Sequence, residues 1–343
     1  VAHNVLITAA SRRVALVRAF QDALARRAPG SVVIATDISP WSPAVHVADR
    51  ARRVPRSDAA GYVDTLLAIC EADGVRLLVP TIDDELEVIA AARPRFAAIG
   101  VQVAVPTVDT VRICRDKAIT SAYLASHGIA APATWTAETI DVERVPLPLF
   151  IKPRCGRGSV GAYPVHTRDE LRFFLGYVPD PIVQTYLHAP EYTVDLLCDF
   201  DGALLSVVPR ERQVIRSGVT DRGCTVDDPR LIELARRCAA AFEFRGAVNF
   251  QCRMVGETPV IFEINPRFSG GIQLTLAAGA PFADWLVELS MGGRVAPRIG
   301  AFTRGLSMSS YETSLFFTQR PDHVLEAPPA LVAAGADREG ATA

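Results

Sequence analysis

The chain opens on a short apolar run over 5–9, followed by polar Ser11-Arg12-Arg13, an amphipathic stretch over 14–27 and a second apolar run over 31–35 that leads to Asp37. The alternation then repeats, with helical spacing over 62–73, a strand-like run over 76–80 and helical spacing over 83–92. Strands alternating with helices predict a parallel, doubly wound, Rossmann-like sheet. Such sheets bind ligands at the carboxyl ends of their strands, which makes Ser11, Arg12, Arg13, Asp37, Thr81, Asp83 and Glu85 candidates to line a crevice. Asp83 and Glu85 also admit a plainer account, as carboxylates in a first helical turn facing the positive end of the dipole.

From Asp109 onward the pattern changes. A helix carrying Arg115, Asp116 and Lys117 runs to a stop at Gly128, and a proline-rich stretch over 131–148 follows. Next come a strand over 149–152, a glycine loop and another strand, a helix opened by the capping box Thr167 and Glu170, and a strand around Ile182. Strands over 192–198 and 203–208, a helix opened by Asp228-Pro229 and a hairpin complete an α+β region of antiparallel strands. A length of 343 residues exceeds what one apolar core serves and implies two or three units. The expected divisions are 1–112, with the alternating pattern; 113–188, with the glycine loop; 189–328, with the hairpin; and 329–343, a flexible tail.

The hairpin holds the most chemistry. Apolar-rich runs over 247–254 and 259–264 flank Val255-Gly256-Glu257-Thr258 and read as two strands joined by a tight turn. Glu263 and Asn265, two apart, share a face, and pairing about Glu257 sets Gln251 opposite Glu263. Three oxygen-bearing side chains then converge as donors for a hard cation such as magnesium, which commonly completes its shell with nucleotide phosphates. Arg267 adds a bidentate cation beside them. A surface hairpin with a polar outer face would account for Glu263 alone. It explains less well why Arg267 and then Ser269-Gly270-Gly271 follow directly.

Residues 156–161 match G-x-G-x-x-G, the string of a dinucleotide-binding turn. The match misleads, because that turn must open a helix and Ala162-Tyr163-Pro164-Val165 is β-type. A glycine loop between two strands can instead fold over a triphosphate with its N–H groups free to approach, or it is a mobile surface hairpin. Lys152, just before the loop, would meet phosphate as a point charge. The loop of a protein kinase has its lysine on the following strand, and no H-R-D or D-F-G string is present. Lys117 is either a solvated helix residue or a ligand contact, and Glu191 either a ribose acceptor or a strand-edge residue. Cys155 reads as a small filler, and His127, His166 and His188 lack metal spacing.

Composition narrows the classes. A net charge of -2 and a pI near 6.4 exclude a global field for nucleic acid or an anionic membrane. Seven scattered cysteines without C-x-x-C spacing argue against a disulfide framework or zinc knuckle and fit a reduced, cytoplasmic protein. The first ten residues lack the features of a secretory signal, and no apolar run reaches membrane-spanning length.

Lys117, then Lys152 with the glycine loop, then Gln184 to Glu191, then Gln251, Glu263, Asn265 and Arg267 form an ordered set that resembles the ATP-grasp superfamily. The chain is most similar to its carbamoyl-phosphate synthetase large-subunit type, from Val5 to about Leu315. The resemblance implies a Rossmann-like N-terminal (pre-ATP-grasp) substrate domain over 1–112 followed by a two-part ATP-grasp domain, a lid over 113–188 and a catalytic unit over 189–328, with ATP and Mg2+, or Mn2+ in its place, between lid and catalytic unit. It implies that Lys117, Lys152 and the loop residues Gly156, Arg157, Gly158 and Ser159 meet the phosphates. Gln184, Thr185, Tyr186 and Leu187 would bind adenine through backbone, with Thr185 standing where many relatives carry glutamate. Glu191 would hold the ribose, and Gln251, Glu263 and Asn265 the metal. Arg267 would stabilise the transferring phosphoryl group, while Arg210 and Arg212 hold the acid or acyl phosphate. Ser11, Arg12, Arg13, Asp83, Glu85, Ser269 and Gly270 are the remaining substrate candidates. The expected activity is that of a stand-alone carboxylate-amine ligase acting on small molecules through an acyl phosphate, with a homodimer as the expected assembly. A phosphotransferase and a catalytically silent nucleotide-binding protein are the alternatives.

Overall fold

A computed structural model describes residues 2–318, 321 and 324–326. The flexible tail expected over 329–343 lies outside the described residues.

The N-terminal unit comprises β1 (Asn4–Ile7), α1 (Val14–Arg27), β2 (Val33–Asp37), β3 (Arg50–Arg53), α2 (Tyr62–Ala72), β4 (Val75–Val79), α3 (Asp83–Ala91), α4 (Arg93–Ala98) and β5 (Gln102–Val103). Its strands form a wholly parallel sheet in the order β3-β2-β1-β4-β5. Helices cover both faces: Val5 and Ile7 face one core, while Leu6 between them faces another. The order reverses between β1 and β4, so the loops after these two strands flank the ligand-binding crevice of the fold.

Two helices follow, α5 (Val108–Arg115) and α6 (Lys117–Ser126), where the pattern predicted one. Asp116 breaks them apart. Its extended backbone leaves the helix, and its carboxylate caps α6 by accepting from the N–H groups of Ala118 and Ile119. Cys114, Leu124 and Ile129 pack into the core of the catalytic sheet and not into the lid. The lid's own sheet, in the order β6-β9-β7-β8, therefore begins only at β6 (Thr134–Thr136). It continues with β7 (Leu149–Pro153), β8 (Tyr163–Val165), α7 (Arg168–Tyr177) and β9 (Pro181–Thr185), closed over a small separate core that includes Leu149, Ile151 and Val183.

The catalytic unit is a mainly antiparallel sheet in the order β14-β13-β10-β11-β12-β15. Its elements are β10 (Glu191–Cys198), β11 (Leu204–Arg216), β12 (Val219–Thr225), α8 (Pro229–Ala241), β13 (Gly246–Val255), β14 (Thr258–Asn265), α9 (Ile272–Ala277), α10 (Phe282–Ser290) and β15 (Ser307–Ser309). One core joins it to the N-terminal unit. Val5, Leu16 and Phe20 pack with Phe268, Phe282 and Leu286 from beyond β14, and the Phe20 and Phe268 rings meet edge to face at 6.1 Å. Arg27 of α1 pairs with Asp284 of α10 at 2.6 Å. These two units are thus a single packed body, against which the lid stands apart. No helix among the described residues is long and apolar enough to cross a membrane.

Candidate active site

The β13–β14 hairpin has the expected facing pair for an unexpected reason. Its turn is the two-residue Gly256-Glu257, with Val255 paired to Thr258, and that register alone would set Gln251 opposite Phe262. A one-residue slip turns every side chain to the other face of a sheet. A bulge at Phe262 corrects it: Cys252 pairs with Ile261, whereas Gln251 pairs with Glu263 and Asn249 with Asn265. The bulge also gives the Phe262 carbonyl to Lys152 Nζ at 3.2 Å, and the ammonium lies 5.4 Å from the Phe262 ring centroid. Burial lowers the Lys152 pKa to about 8, with Lys117 acting in the same sense and Glu263 opposing.

Two cavities meet here. The first, about 240 Å³, lies between lid and catalytic sheet; its walls include Phe150, Lys152, Val160, Thr185, Tyr186, Leu187, Glu191, Arg212, Gln251, Phe262 and Glu263. The second, about 260 Å³, lies toward α3 and α5 and includes Asp83, Asp84, Arg115, Cys155 and Asn265. Lys117, Gly156 and Glu263 belong to both. Lys117 reaches this boundary because the break at Asp116 makes it the first residue of α6; it is buried and donates to the Gly156 carbonyl at 2.9 Å. That placement decides against the solvated-face account.

The expected residues divide by what they touch. Gly156, Arg157, Ser159, Gln184 and Glu191 line the first cavity, although the Gln184 side chain is tied to Ser121 and Thr134. The Thr185 and Tyr186 N–H groups already donate to Ala133 and Pro148 carbonyls, so Leu187 is left to offer an N–H to a ligand. Gly158 lines neither cavity and lies close to Gly218, where a Cβ would be 3.2 Å from the Gly158 Cα. Both Glu191 oxygens are held, by Arg212 Nη1 and Arg253 Nη2 at 2.6 Å each. Arg267 donates at 2.9 Å to both Asp83 and Asn265 Oδ1, beside the second cavity.

Several substrate candidates do not reach either cavity. Glu85 is wholly buried and fixes the turn into α3 by accepting from Thr81 and Ile82 N–H and from the Tyr62 hydroxyl; burial raises its pKa. Arg210 is sealed too, bonded to Asp195 and Ser269, so its guanidinium supports the sheet and touches no ligand space. Ser269 is buried under Arg210 and Arg13, and Gly270 lies against Val219. Arg13 clamps Thr81 to Phe268 and Ser269 through their carbonyls; burial and Arg267 depress its pKa. Ser11 and Arg12 are exposed outside both cavities, with the Ser11 N–H on Asp37. Asn249, Arg253 and Asp84 went unnoticed in the sequence. The first two repeat the period-two spacing of Gln251 along β13, a signal that was available.

The donor set suits a hard cation. Among the described residues neither Gln251 nor Glu263 has a side-chain hydrogen-bond partner, and both face the first cavity beside buried Lys152. One carboxylate and two amide oxygens leave room for phosphate oxygens and water around Mg2+.

A family profile described as ATP-grasp in the biosynthetic pathway with Ter operon matches residues 177–314, and one described as PylC-like, N-terminal domain matches 5–104. The stretch over 177–314 belongs to the ATP-grasp superfamily. Among curated proteins, this chain is 24% identical to the carbamoyl phosphate synthase large chain of Agathobacter rectalis, over 57% of the chain and 20% of the relative. It is 26% identical to human carnosine synthase 1 over 52% and 25%. It spans less than half the length of the curated relatives it matches. In fold it is similar to the biotin carboxylase–β-γ-ATP complex from Campylobacter jejuni, with a TM-score of 0.69 and 15% identity over 88% of this chain and 73% of that one. An L-amino acid ligase from Bacillus licheniformis gives a TM-score of 0.66 and 15% identity over 85% and 75%.

Proposed function

We propose that this ATP-grasp chain is an ADP-forming ligase that joins a small-molecule carboxylate to an amine through an acyl phosphate. The observation that carries the reading is the meeting of two cavities at Lys117, Gly156 and Glu263. The first has the walls of a nucleotide site: aromatic Phe150, Tyr186 and Phe262 for the base, the Leu187 N–H for its edge, and Glu191 for the ribose. A triphosphate laid from there toward Lys152 and Lys117 ends at the shared boundary, which leaves the second cavity for the acid.

In this assignment Gln251, Glu263 and Asn265 hold Mg2+, which when bound neutralises charge on the phosphates. Mn2+ accepts the same oxygen donors. Lys117, Lys152 and Arg267 stabilise the negative charge spread over the transferring phosphoryl group. A carboxylate oxygen attacks the γ-phosphorus, the bond to the β-γ bridging oxygen breaks, and ADP leaves. The amine nitrogen then attacks the acyl carbon, phosphate departs with the C–O electron pair, and the nitrogen loses a proton to water. Arg212, with one Nη on Glu191 and the other on the Gly218 carbonyl, braces the ribose side.

Hydroxylamine tests the reading. Pools of amino acids and small acids are screened with Mg-ATP for phosphate release, and active pools are repeated with hydroxylamine. A ligase yields a hydroxamate together with ADP and phosphate. A phosphorylated alcohol without hydroxamate would establish a phosphotransferase instead, Mg-ATP binding without turnover in any pool a catalytically silent nucleotide-binding protein, and absence of Mg-ATP binding would overturn the nucleotide site itself.

A further inference from the structure

Adjacent carboxylates at the start of α3 reach two different parts of the site. Asp83 accepts from Arg267 at 2.9 Å, and Asp84 accepts from Arg157 of the glycine loop, from Nη2 at 2.9 Å and Nε at 3.1 Å. The two ends of the second bond lie on different bodies. Arg157 belongs to the lid, which has its own core, whereas α3 belongs to the N-terminal unit, which shares a core with the catalytic sheet. Buried Glu85 fixes the first turn of α3 by accepting from both backbone N–H groups that precede the helix, so Asp84 projects from a rigid anchor. On the other side of the loop, Gly158 approaches Gly218 so closely that a Cβ at Gly218 would lie 3.2 Å from its Cα.

We propose that Asp84 is a positioning residue that latches the glycine loop over the phosphate site through Arg157, registering the moving lid to the turn that also orients Arg267. The latch rests on reading this loop as the nucleotide lid. Both partners are about half exposed, 51% and 49% for their side chains, so the pair is screened by solvent and its effect is modest. A weak latch suits a lid that must open each turnover, since a buried pair would hold it shut.

Lid opening can be read without nucleotide from the Lys117 amide, which donates to Arg154 on the lid at 3.1 Å and exchanges when that contact breaks. Hydrogen exchange of the peptide containing Lys117 is measured for wild type, Asp84→Asn, Arg157→Gln and the double variant. Each single change should speed exchange about two- to five-fold, the double should be no faster than the faster single, and Asp84→Glu should restore most protection. Unchanged singles, or effects that multiply in the double, would overturn the latch. Adding Mg-ATP to wild type tests the lid reading separately. Slower exchange of that peptide supports it; coupled variants with no response to Mg-ATP would leave the contact in place but remove its role in closing over nucleotide.

Discussion

Lys152 shows how one side chain can be legible in kind and not in state. Its place before the glycine loop makes it a candidate phosphate contact, but its proton affinity depends on burial between lid and catalytic sheet and on Lys117, neither visible in the string. With a folded pKa of about 8 against an ordinary 10.5, the unfolded chain binds the extra proton between those values. Stability of the nucleotide-free protein therefore rises with pH across that window. Mg-ATP affinity has the opposite slope, because only the ammonium attracts phosphate. Calorimetric titration should show affinity that is level below about pH 8 and falls above it, by as much as about tenfold per pH unit. In Lys152→Arg, whose guanidinium stays charged, that inflection should vanish; its persistence would assign the effect elsewhere. Arg210 is kept out of both cavities at the same scale for the converse reason. An arginine on a strand end looks available, but its burial against Asp195 and Ser269 is set by residues up to 59 positions away.

Among the elements, long apolar alternations were read well and breaks were not. β1, β2, β4 and helices α1 to α3 fall within two residues of the expected spans, because their periodicity reports directly which side is buried. β3 escaped notice because it reads Arg-Ala-Arg-Arg, an edge strand with only Ala51 buried. The helix expected through Asp116 divides there because this carboxylate has two employments, capping α6 and pairing with Arg154 Nε of the lid at 2.7 Å. Asp116→Ala should lose both. The cap alone is worth about 1 kcal/mol, and Lys117, the first residue of α6, should lose its aim at Gly156. Denaturant unfolding should show the stability loss and titration a weakened affinity for Mg-ATP. Unaltered affinity with reduced stability would show that Lys117 holds its place without the cap.

At the scale of the whole molecule, the division expected near residue 112 is a change of sheet and not a hinge. Val5 and Phe20 share a core with Phe282 and Leu286, so the first and third units should unfold together. Phe282→Ala, which opens a void in that core, should cost about 3–5 kcal/mol and shift one cooperative transition. Native-state hydrogen exchange should give β1 and β10 the same opening free energy, with the lid sheet opening at lower cost. Separate loss of β1 would mean that the shared core does not couple the units.

By itself the sequence determined the class of each unit, the order of chemical groups along the chain and the candidate set Gln251, Glu263 and Asn265, because periodicity and side-chain chemistry are local properties. Tertiary structure alone decided which groups face the two cavities. The bulge at Phe262 sets the face of Glu263, the break at Asp116 delivers Lys117, and burial keeps Glu85 and Arg210 out of both cavities. Each of these depends on a partner distant in sequence, and desolvation has no local signature.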